Sequence, residues 1–411
     1  MAGRFWELAA VDVTPLRTLS YRRLWWGQGV SFIGFQLTSV AVSAQIYAIT
    51  ESSFWVGMAG PVSLIPLVIF GLWGGAVADA MDRRRLLLAG SVLAWVATAA
   101  LLAQAVLRID NVLLMLGIVA VHSAGFAITG PTRGAIIPRL VPVEQVPAAN
   151  TLNFLVGSVG MMVGPLVAGV VLDRGGFAVA YLIDFILFSA GFYAALRLPP
   201  LPPLGDILRP GWRSVGEGLG FIARHPVVLM SFVVDIIAMA FAMPRALFPE
   251  ITAERFGGSG VAFGWLSASI AIGSVLGGLF SGWVGRVRRQ GVALVAVIAL
   301  WGLTVAAAGL AEPLWLMVAL LALGGAADLV SAVWRQTILQ TYAPDEMRGR
   351  MQGVFHVVVA GGPRLGDVRA GTTAVAVGLV PAWVGGGLLC AVLVVIAGLA
   401  VPAFRTYRAG R

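Results

Sequence analysis

The sequence predicts an all-helical integral membrane protein, with about twelve membrane-spanning helices arranged as two related six-helix halves. Three observations predict this fold class: a very apolar composition, a series of apolar runs long enough to cross a bilayer, and an internal repeat. Of the 411 residues, 59% are hydrophobic and only 11% are charged, whereas about 25% of the residues of a soluble domain are charged. Because so few charges cannot cover a folded surface, part of the chain must be solvated by lipid.

The apolar runs define the predicted helices. A helix needs about 20 apolar residues to cross a bilayer, and only helices or closed barrels satisfy every backbone group in lipid. The first run follows four arginines and ends without a small-residue cleavage site, so we predict an uncleaved span and not a removable signal peptide. The runs of sufficient length are 24–49, 54–78, 86–107, 112–131, 146–172, 176–196, 226–249, 261–285, 291–311, 313–334, 352–376 and 380–403.

The positions of the basic residues predict the orientation of these spans. All 28 basic residues are arginines, and loops on the cytoplasmic side of a membrane protein carry an excess of them. If both termini are cytoplasmic, all but six arginines fall in cytoplasmic segments. The exceptions are Arg108, Arg174 and Arg255 outside, and Arg245, Arg364 and Arg369 within spans. The sequence therefore predicts that both termini lie inside.

An internal repeat divides the chain into two halves. The segment that runs from Arg133 through Pro142 and Gly164 to Gly169 recurs 202 residues later, from Arg335 through Pro344 and Gly366 to Gly371. Parallel six-helix repeats related by an axis along the membrane normal are typical of transporters. Between the halves lies a segment that opens Leu-Pro-Pro-Leu-Pro-Pro, which cannot continue a helix. We predict an N-terminal half (1–197), a cytoplasmic linker (198–225) and a C-terminal half (226–411).

The remaining composition excludes several kinds of site. The net charge is +9, but the arginines are spread over short loops, so we predict no nucleic-acid partner. The single cysteine, Cys390, allows neither a disulfide within the chain nor a cysteine metal site. Residues 122, 225 and 356 are the three histidines and show no metal-binding spacing, and the absence of lysine excludes a Gly-Lys-Ser/Thr phosphate loop. We therefore predict no metal and no cofactor.

The loop after the second span is a candidate gate. It contains Gly75 and Asp79, followed by Asp82 and then by Arg83 and two further arginines. Glycines allow two helices to approach closely, and an acid there can pair with arginine or with the positive end of a neighbouring helix. We assign Gly75, Asp79 and Arg83 to a contact that closes the cytoplasmic side. The alternative is that the arginines only anchor the loop on that side.

The fifth span carries a second glycine motif, with small residues at Gly160, Gly164 and Gly169 and a helix-weakening Pro165. Small residues at this spacing permit close packing of helices in membranes. The alternative interpretation is ordinary glycine packing.

Ionisable residues within spans are costly in lipid and usually functional. Asp235 lies about nine residues into span seven, roughly 13 Å deep at the helical rise per residue, and is our first candidate for a proton carrier. Asp328 in span ten is the second. Arg245 offers planar donors suited to anionic oxygens, with pairing to Glu250 as the alternative.

Other embedded ionisable residues are given less specific roles. Arg364 and Asp367 are three residues apart in span eleven, so they can pair on one helix face, either as part of a substrate site or as a structural ion pair. We expect Asp184, in span six, to make a structural contact. His122 and His356 are expected to be hydrogen-bonded core residues, with a proton-carrying role as the alternative.

The motifs resemble those of a known family. The loop at Gly75–Arg83 is similar to the cytoplasmic motif of the major facilitator superfamily, although the family has glycine at the position of Asp82. The span-five motif resembles the antiporter motif of exporters in that superfamily. The segments Met243–Pro249, Arg335–Gln340, Pro344–Arg350 and Gly361–Asp367 resemble the enterobactin-exporter branch.

This resemblance implies the major facilitator fold in a bacterial inner membrane, and a proton-coupled exporter (an antiporter) of a siderophore or of multidrug-type amphiphilic molecules. It also implies that the partners are a small-molecule substrate, protons and lipid, and that the protein is a monomer. Two alternatives remain: an importer or facilitator of the same fold, and an integral membrane enzyme, for which no catalytic cluster is seen.

Overall fold

The computed structural model describes residues 12–202, 220–342 and 348–407, without the side chains of 71–80, 282, 285, 348–354 and 356. The described chain is helical almost throughout. The stretch Val146–Leu196 is interrupted at Gly176, which has a φ of 71°, and we name its two parts α5 (146–175) and α6 (177–196). The other helices are α1 (Leu19–Thr50), α2 (Ser53–Ala80), α3 (Arg83–Val106), α4 (Val112–Leu140), α7 (Pro226–Ala242), α8 (Gly260–Leu279), α9 (Gln290–Leu310), α10 (Leu314–Tyr342), α11 (Arg348–Val377) and α12 (Leu379–Ala400).

Ten stretches of the described residues are long and apolar enough to cross a membrane. One of them, Val143–Leu196, contains both α5 and α6, and the 30-residue α11 is not among the ten. With that stretch divided at Gly176 and α11 added, every predicted span corresponds to a helix. This confirms the predicted fold class.

Several helices are longer than the apolar runs that predicted them. The fourth and tenth runs end at 131 and 334, but α4 continues to Leu140 and α10 to Tyr342. The seventh run divides instead: α7 ends at Ala242, and after a turn at Arg245–Leu247 a short helix, Phe248–Phe256, completes it. Pro244 and Pro249, which lack a backbone donor, lie at this break.

Each half packs as a helical bundle of its own. In the first half α1 packs against α5 and α6, and α4 packs against α2 and α3. In the second half α9 packs against α10 and α12, and α8 packs against α10. The main packing between the halves joins α2 to α11 and α5 to α8.

The helices have their ends at two opposite faces of the molecule. The contacts that we describe between the halves lie toward one of these faces, which we name the Asp173 face because α5 ends there. We name the opposite side, where α3 begins, the Arg83 face. On the Asp173 face, one carboxylate oxygen of Asp173 accepts a hydrogen bond from the backbone N–H of Gly260. The other oxygen accepts a hydrogen bond from the backbone N–H of Val261 (3.0 Å). The acid thereby satisfies free donors at the start of α8, where the helix dipole favours negative charge.

On the Arg83 face, arginines hold the chain that leaves α6. Arg84 donates to the Leu196 carbonyl (2.8 Å), and Arg139 donates to the Pro202 carbonyl (2.5 Å). Most of the predicted linker, 198–225, lies outside the described residues, so the proposed domain boundaries stay a prediction.

Candidate functional site

A buried cluster of charges joins α7 to α10 in the second half. The guanidinium of Arg335 forms an ion pair with Asp235 and lies 3.7 Å from a carboxylate oxygen of Asp328. The side chains of Asp235 and Arg335 are only 4% and 5% exposed, while that of Asp328 is 30% exposed. Asp328 and Arg335 are seven residues apart, which is about two helical turns, and therefore share one face of α10.

The balance of charge in this cluster determines what it can do. Two carboxylates face one guanidinium, so the cluster carries one net negative charge when both acids are ionised. Protonation of one acid makes it neutral and leaves one ion pair in place. Because an uncompensated charge is costly when buried, such a cluster is suited to gain and lose a single proton. The two carboxylates proposed from sequence are thus brought together on a shared partner.

The three residues proposed to bind substrate lie around the break in α7 but form a different pair from the one considered. Arg245 donates to Asp367 at 3.0 Å, whereas Arg364 donates to Ser63 of α2 (2.9 Å) and to the Ala360 carbonyl (2.5 Å). The expected pair of Arg364 with Asp367 is therefore replaced by a pair across helices. The alternative partner of Arg245, Glu250, instead accepts a hydrogen bond from Ser53 in the first half.

Two other embedded charges have structural partners. Arg369 donates to the carbonyls of Ala240 (3.2 Å), Phe241 and Ala382 (3.0 Å). It thus satisfies carbonyl groups at the end of α7, where a cation is favoured by the helix dipole. Asp184 is fully buried and accepts hydrogen bonds from Thr38 (2.7 Å) and Thr98 (3.2 Å).

The candidate gate is described in part. Helix α2 runs through Gly75 and Asp79, but the side chain of Asp79 is not among those described, and neither is that of His356. Arg83 donates to the carbonyl of Ala135 at the end of α4 (2.8 Å). Asp82, where the resembling family has glycine, caps α3: its carboxylate accepts from the backbone N–H groups of Arg84 (2.9 Å) and Arg85 (3.1 Å).

The span-five motif divides its contacts between two helices. Any side chain on Gly160 or Gly164 would collide with Phe32 or Gln36 of α1. At Gly169 a side chain would collide with the backbone of Gly260 and Gly264 in α8. Pro165 lies at the same contact, since its carbonyl oxygen would be 2.7 Å from a Cβ placed on Gly264. The small residues thus permit α5 to touch both its own half and the other.

Sequence reasoning missed the central residue of the cluster. Because the tenth apolar run ends at 334, the sequence places Arg335 in a cytoplasmic loop, whereas α10 continues to Tyr342 and buries it. The sequence places Arg133 in a loop for the same reason, whereas it lies within α4. The repeat offset could have identified both, since it aligns these two arginines with each other inside corresponding helices.

Comparison with known proteins places the chain in a family. Residues 10–408 match the family model described as transmembrane secretion effector. The chain is 28% identical to the enterobactin exporter EntS of Shigella boydii and 27% identical to that of Escherichia coli, in both cases over 86% of this chain and 84% of the relative.

Solved structures show the same fold at low sequence identity. The nucleoside transporter NupG superposes with a TM-score of 0.74 at 14% identity, covering 95% of this chain and all of that one. A bacterial homologue of the human lysosomal transporter Spinster superposes with a TM-score of 0.70 at 18% identity, covering 96% and 97%. The matched family and the similar proteins are transporters and not enzymes, and the chain is therefore a multi-pass membrane transporter of the major facilitator fold that belongs to the transmembrane secretion effector family.

Proposed function

We propose that this chain is a proton-coupled exporter of a siderophore or another amphiphilic small molecule in a bacterial inner membrane. The observation that carries the proposal is the cluster of Asp235, Asp328 and Arg335, in which the first and last are buried and one guanidinium faces two acids, so that gain of one proton makes the cluster neutral. The similarity to enterobactin exporters over most of both chains supports the direction and the substrate class. The protein acts as a monomer whose two halves rock against each other.

The arginine distribution supports an orientation in which the Arg83 face is cytoplasmic and the Asp173 face is external. In that orientation the described contacts between the halves close the external side. Asp235 would then take up a proton when the cluster is reached from outside and release it toward the cytoplasm, as the substrate moves the other way. The candidate gate at Gly75, Asp79 and Arg83 would close the cytoplasmic side in the opposite state.

The test uses inverted membrane vesicles, in which export appears as uptake. Labelled enterobactin and a fluorescent amphiphilic dye are offered with an acid-inside pH gradient, and the gradient is then collapsed with a protonophore. We expect wild-type protein to accumulate at least one of them only while the gradient is present. Asp235→Asn resembles the protonated acid and cannot release a proton. It should lose gradient-driven accumulation and keep exchange of labelled for unlabelled substrate.

The control variant is Asp110→Asn, which removes an exposed acid from a loop and should transport like wild type. Accumulation by Asp235→Asn against a concentration gradient would show that this residue is not the carrier, and Asp328→Asn would then be compared in the same assay. Accumulation only under the reversed gradient would favour the importer.

A further inference from the structure

The start of α1 and the end of α6 form one exposed surface on the Arg83 face. The two helices touch closely there, since a Cβ placed on Gly27 would lie only 2.6 Å from that of Ala194. The neighbours of these two contact residues, Trp26 and Tyr193, are 60% and 56% exposed. Both helices turn another side inward, where they line a cleft within the first half. Their exposed sides therefore adjoin.

Three arginines are exposed on this surface. Arg22 and Arg23 precede Trp26 by four and three residues, so the three side chains lie toward one side of α1, and all three are exposed. On α6, Arg197 comes one turn after Tyr193, and its guanidinium lies over that ring, 5.1 Å from the centroid. We name these five residues the Arg22 patch.

The charges of the Arg22 patch are not balanced by acids of the protein. In the part of the chain that the structure describes, none of its three guanidinium groups donates a hydrogen bond or forms an ion pair. By contrast, Arg83, Arg84 and Arg139 on the same face all donate to backbone carbonyls. The first turn of α1 contains no acid and no capping side chain. Because the dipole of a helix opposes cations at its start, Arg22 and Arg23 are not placed there to stabilise α1.

The Arg22 patch combines charge with apolar surface at the ends of two spans. Exposed tryptophan and tyrosine near the end of a span are typical of the membrane–water interface, and Leu19 and Leu196 add apolar surface that is 47% and 41% exposed. Arginine donors match the oxygens of a phosphate group, and basic residues near a membrane surface attract anionic lipids. An anionic phospholipid therefore complements both parts of this surface.

From this geometry we infer that the Arg22 patch binds the headgroup of an anionic phospholipid, such as phosphatidylglycerol. The phosphate oxygens accept hydrogen bonds from the three arginines, and the glycerol and the upper part of an acyl chain lie against Trp26 and Tyr193. Since the arginines come from the first and last spans of the first half, one lipid joins the ends of α1 and α6. The inference goes beyond the proposed function and does not rest on it.

The test measures lipid binding to purified protein in an uncharged detergent. Phosphatidylglycerol and zwitterionic phosphatidylcholine, each with a fluorophore at the end of one acyl chain, are titrated with protein, and fluorescence anisotropy reports binding. We expect wild-type protein to bind phosphatidylglycerol more tightly. Each basic residue near a membrane surface changes the affinity about fivefold, so the triple variant Arg22→Gln/Arg23→Gln/Arg197→Gln should weaken phosphatidylglycerol binding by more than about tenfold. It should leave phosphatidylcholine binding nearly unchanged.

The matched control removes the same number of charges elsewhere. Arg286→Gln/Arg288→Gln/Arg289→Gln replaces three exposed arginines that follow α8 on the Arg83 face and should keep the preference for phosphatidylglycerol. Trp26→Leu removes a ring and no charge, so it should weaken binding of both lipids and keep the preference. Inorganic phosphate, which has the charge without acyl chains, should not displace the lipid at equal concentration. Thermal melting of each variant confirms that it is folded.

Four results would overturn the inference. The first two are equal affinity of wild-type protein for the two lipids and full phosphatidylglycerol affinity in the folded triple variant of the Arg22 patch. The third is an equal loss in the matched control, which would indicate attraction to the whole basic face. The fourth is displacement by inorganic phosphate, which would assign the patch to a free anion. Since no transport is measured, each of these results leaves the proposed function untouched.

Discussion

Arg335 and Arg245 both form ion pairs with acids, but the two pairs contribute differently to the stability of the protein because their surroundings differ. Arg335 is almost fully buried with Asp235, so removal of the arginine leaves buried negative charge uncompensated, which is strongly destabilising, whereas loss of Asp235 leaves Asp328 as its partner. The side chain of Arg245 is 49% exposed and that of its partner Asp367 is 14% exposed. Exposed ion pairs contribute about 0–1 kcal/mol to stability. Arg245 can therefore exchange its partner for a substrate anion at little cost to the fold.

We predict that Arg245→Ala lowers the free energy of unfolding by less than about 1 kcal/mol and weakens binding of an anionic substrate more than that of a neutral one. Asp367→Asn should have the opposite effect on anion binding, because it leaves the guanidinium without its competing carboxylate. Binding titrations with matched charged and neutral probes check both. Equal losses for the two probes in Arg245→Ala would indicate that the residue serves only the structure.

The acidic residues of the buried charge cluster could be predicted from the sequence, whereas its basic residue could not. Asp235 and Asp328 could be predicted because a carboxylate inside a long apolar run has few structural explanations. Arg335 and Arg133 lie just beyond the ends of their runs, where an arginine is expected to anchor the helix in any case. The partner of Arg245 could not be predicted either, because it depends on how α11 is placed beside the break in α7.

Individual helices are ended and joined by specific side chains. Asp82 accepts hydrogen bonds from the backbone at the start of α3 and also from the N–H of Leu201 (3.0 Å), while Arg83 donates its own N–H to the Leu201 carbonyl (3.0 Å). One acid therefore begins a helix and holds the chain that follows α6. The sequence showed that Asp82 departs from the family glycine, but only the structure shows that the acid caps α3.

We predict that Asp82→Ala destabilises the protein by about 1 kcal/mol, the usual cost of losing a helix cap, with a further loss from the bond to Leu201. Thermal unfolding in detergent should show a lower midpoint, and limited proteolysis should cut more readily near residue 202. Asp110→Ala removes an exposed loop acid that caps no helix and should melt like wild type. An unchanged midpoint for Asp82→Ala would contradict the capping role.

At the scale of the whole molecule, glycines allow the backbones of the two halves to meet. Gly57 and Gly60 of α2 lie against the backbone of α11 at Asp367 and Arg364, and Gly169 lies against Gly264 of α8. The repeat in the sequence could predict that two halves exist, because it recurs at one offset. It could not predict which face is joined, since the repeat carries no information on how the two halves are placed against each other.

We predict that Gly264→Val prevents the halves from meeting on the Asp173 face, because its side chain would collide with the carbonyl of Pro165 and the backbone of Gly169. Transport should fall sharply at near-normal expression. A cysteine introduced at the contact between α5 and α8 should react faster with a thiol reagent in this variant than in the wild-type background. Gly157→Val is the matched control, since nothing lies within 4 Å of a Cβ built there. Normal transport by Gly264→Val would show that this contact is dispensable.

The close contact between the glycines of α5 and α8 has a consequence for how such a transporter can change its cargo. Where closure depends on backbone meeting backbone, as at Gly169 and Gly264, it does not depend on the identity of the side chains that line the interior. In the proposed mechanism, substitutions in the lining therefore alter which molecules are accepted without disturbing the movement of the two halves, so a change of cargo requires changes in the lining alone.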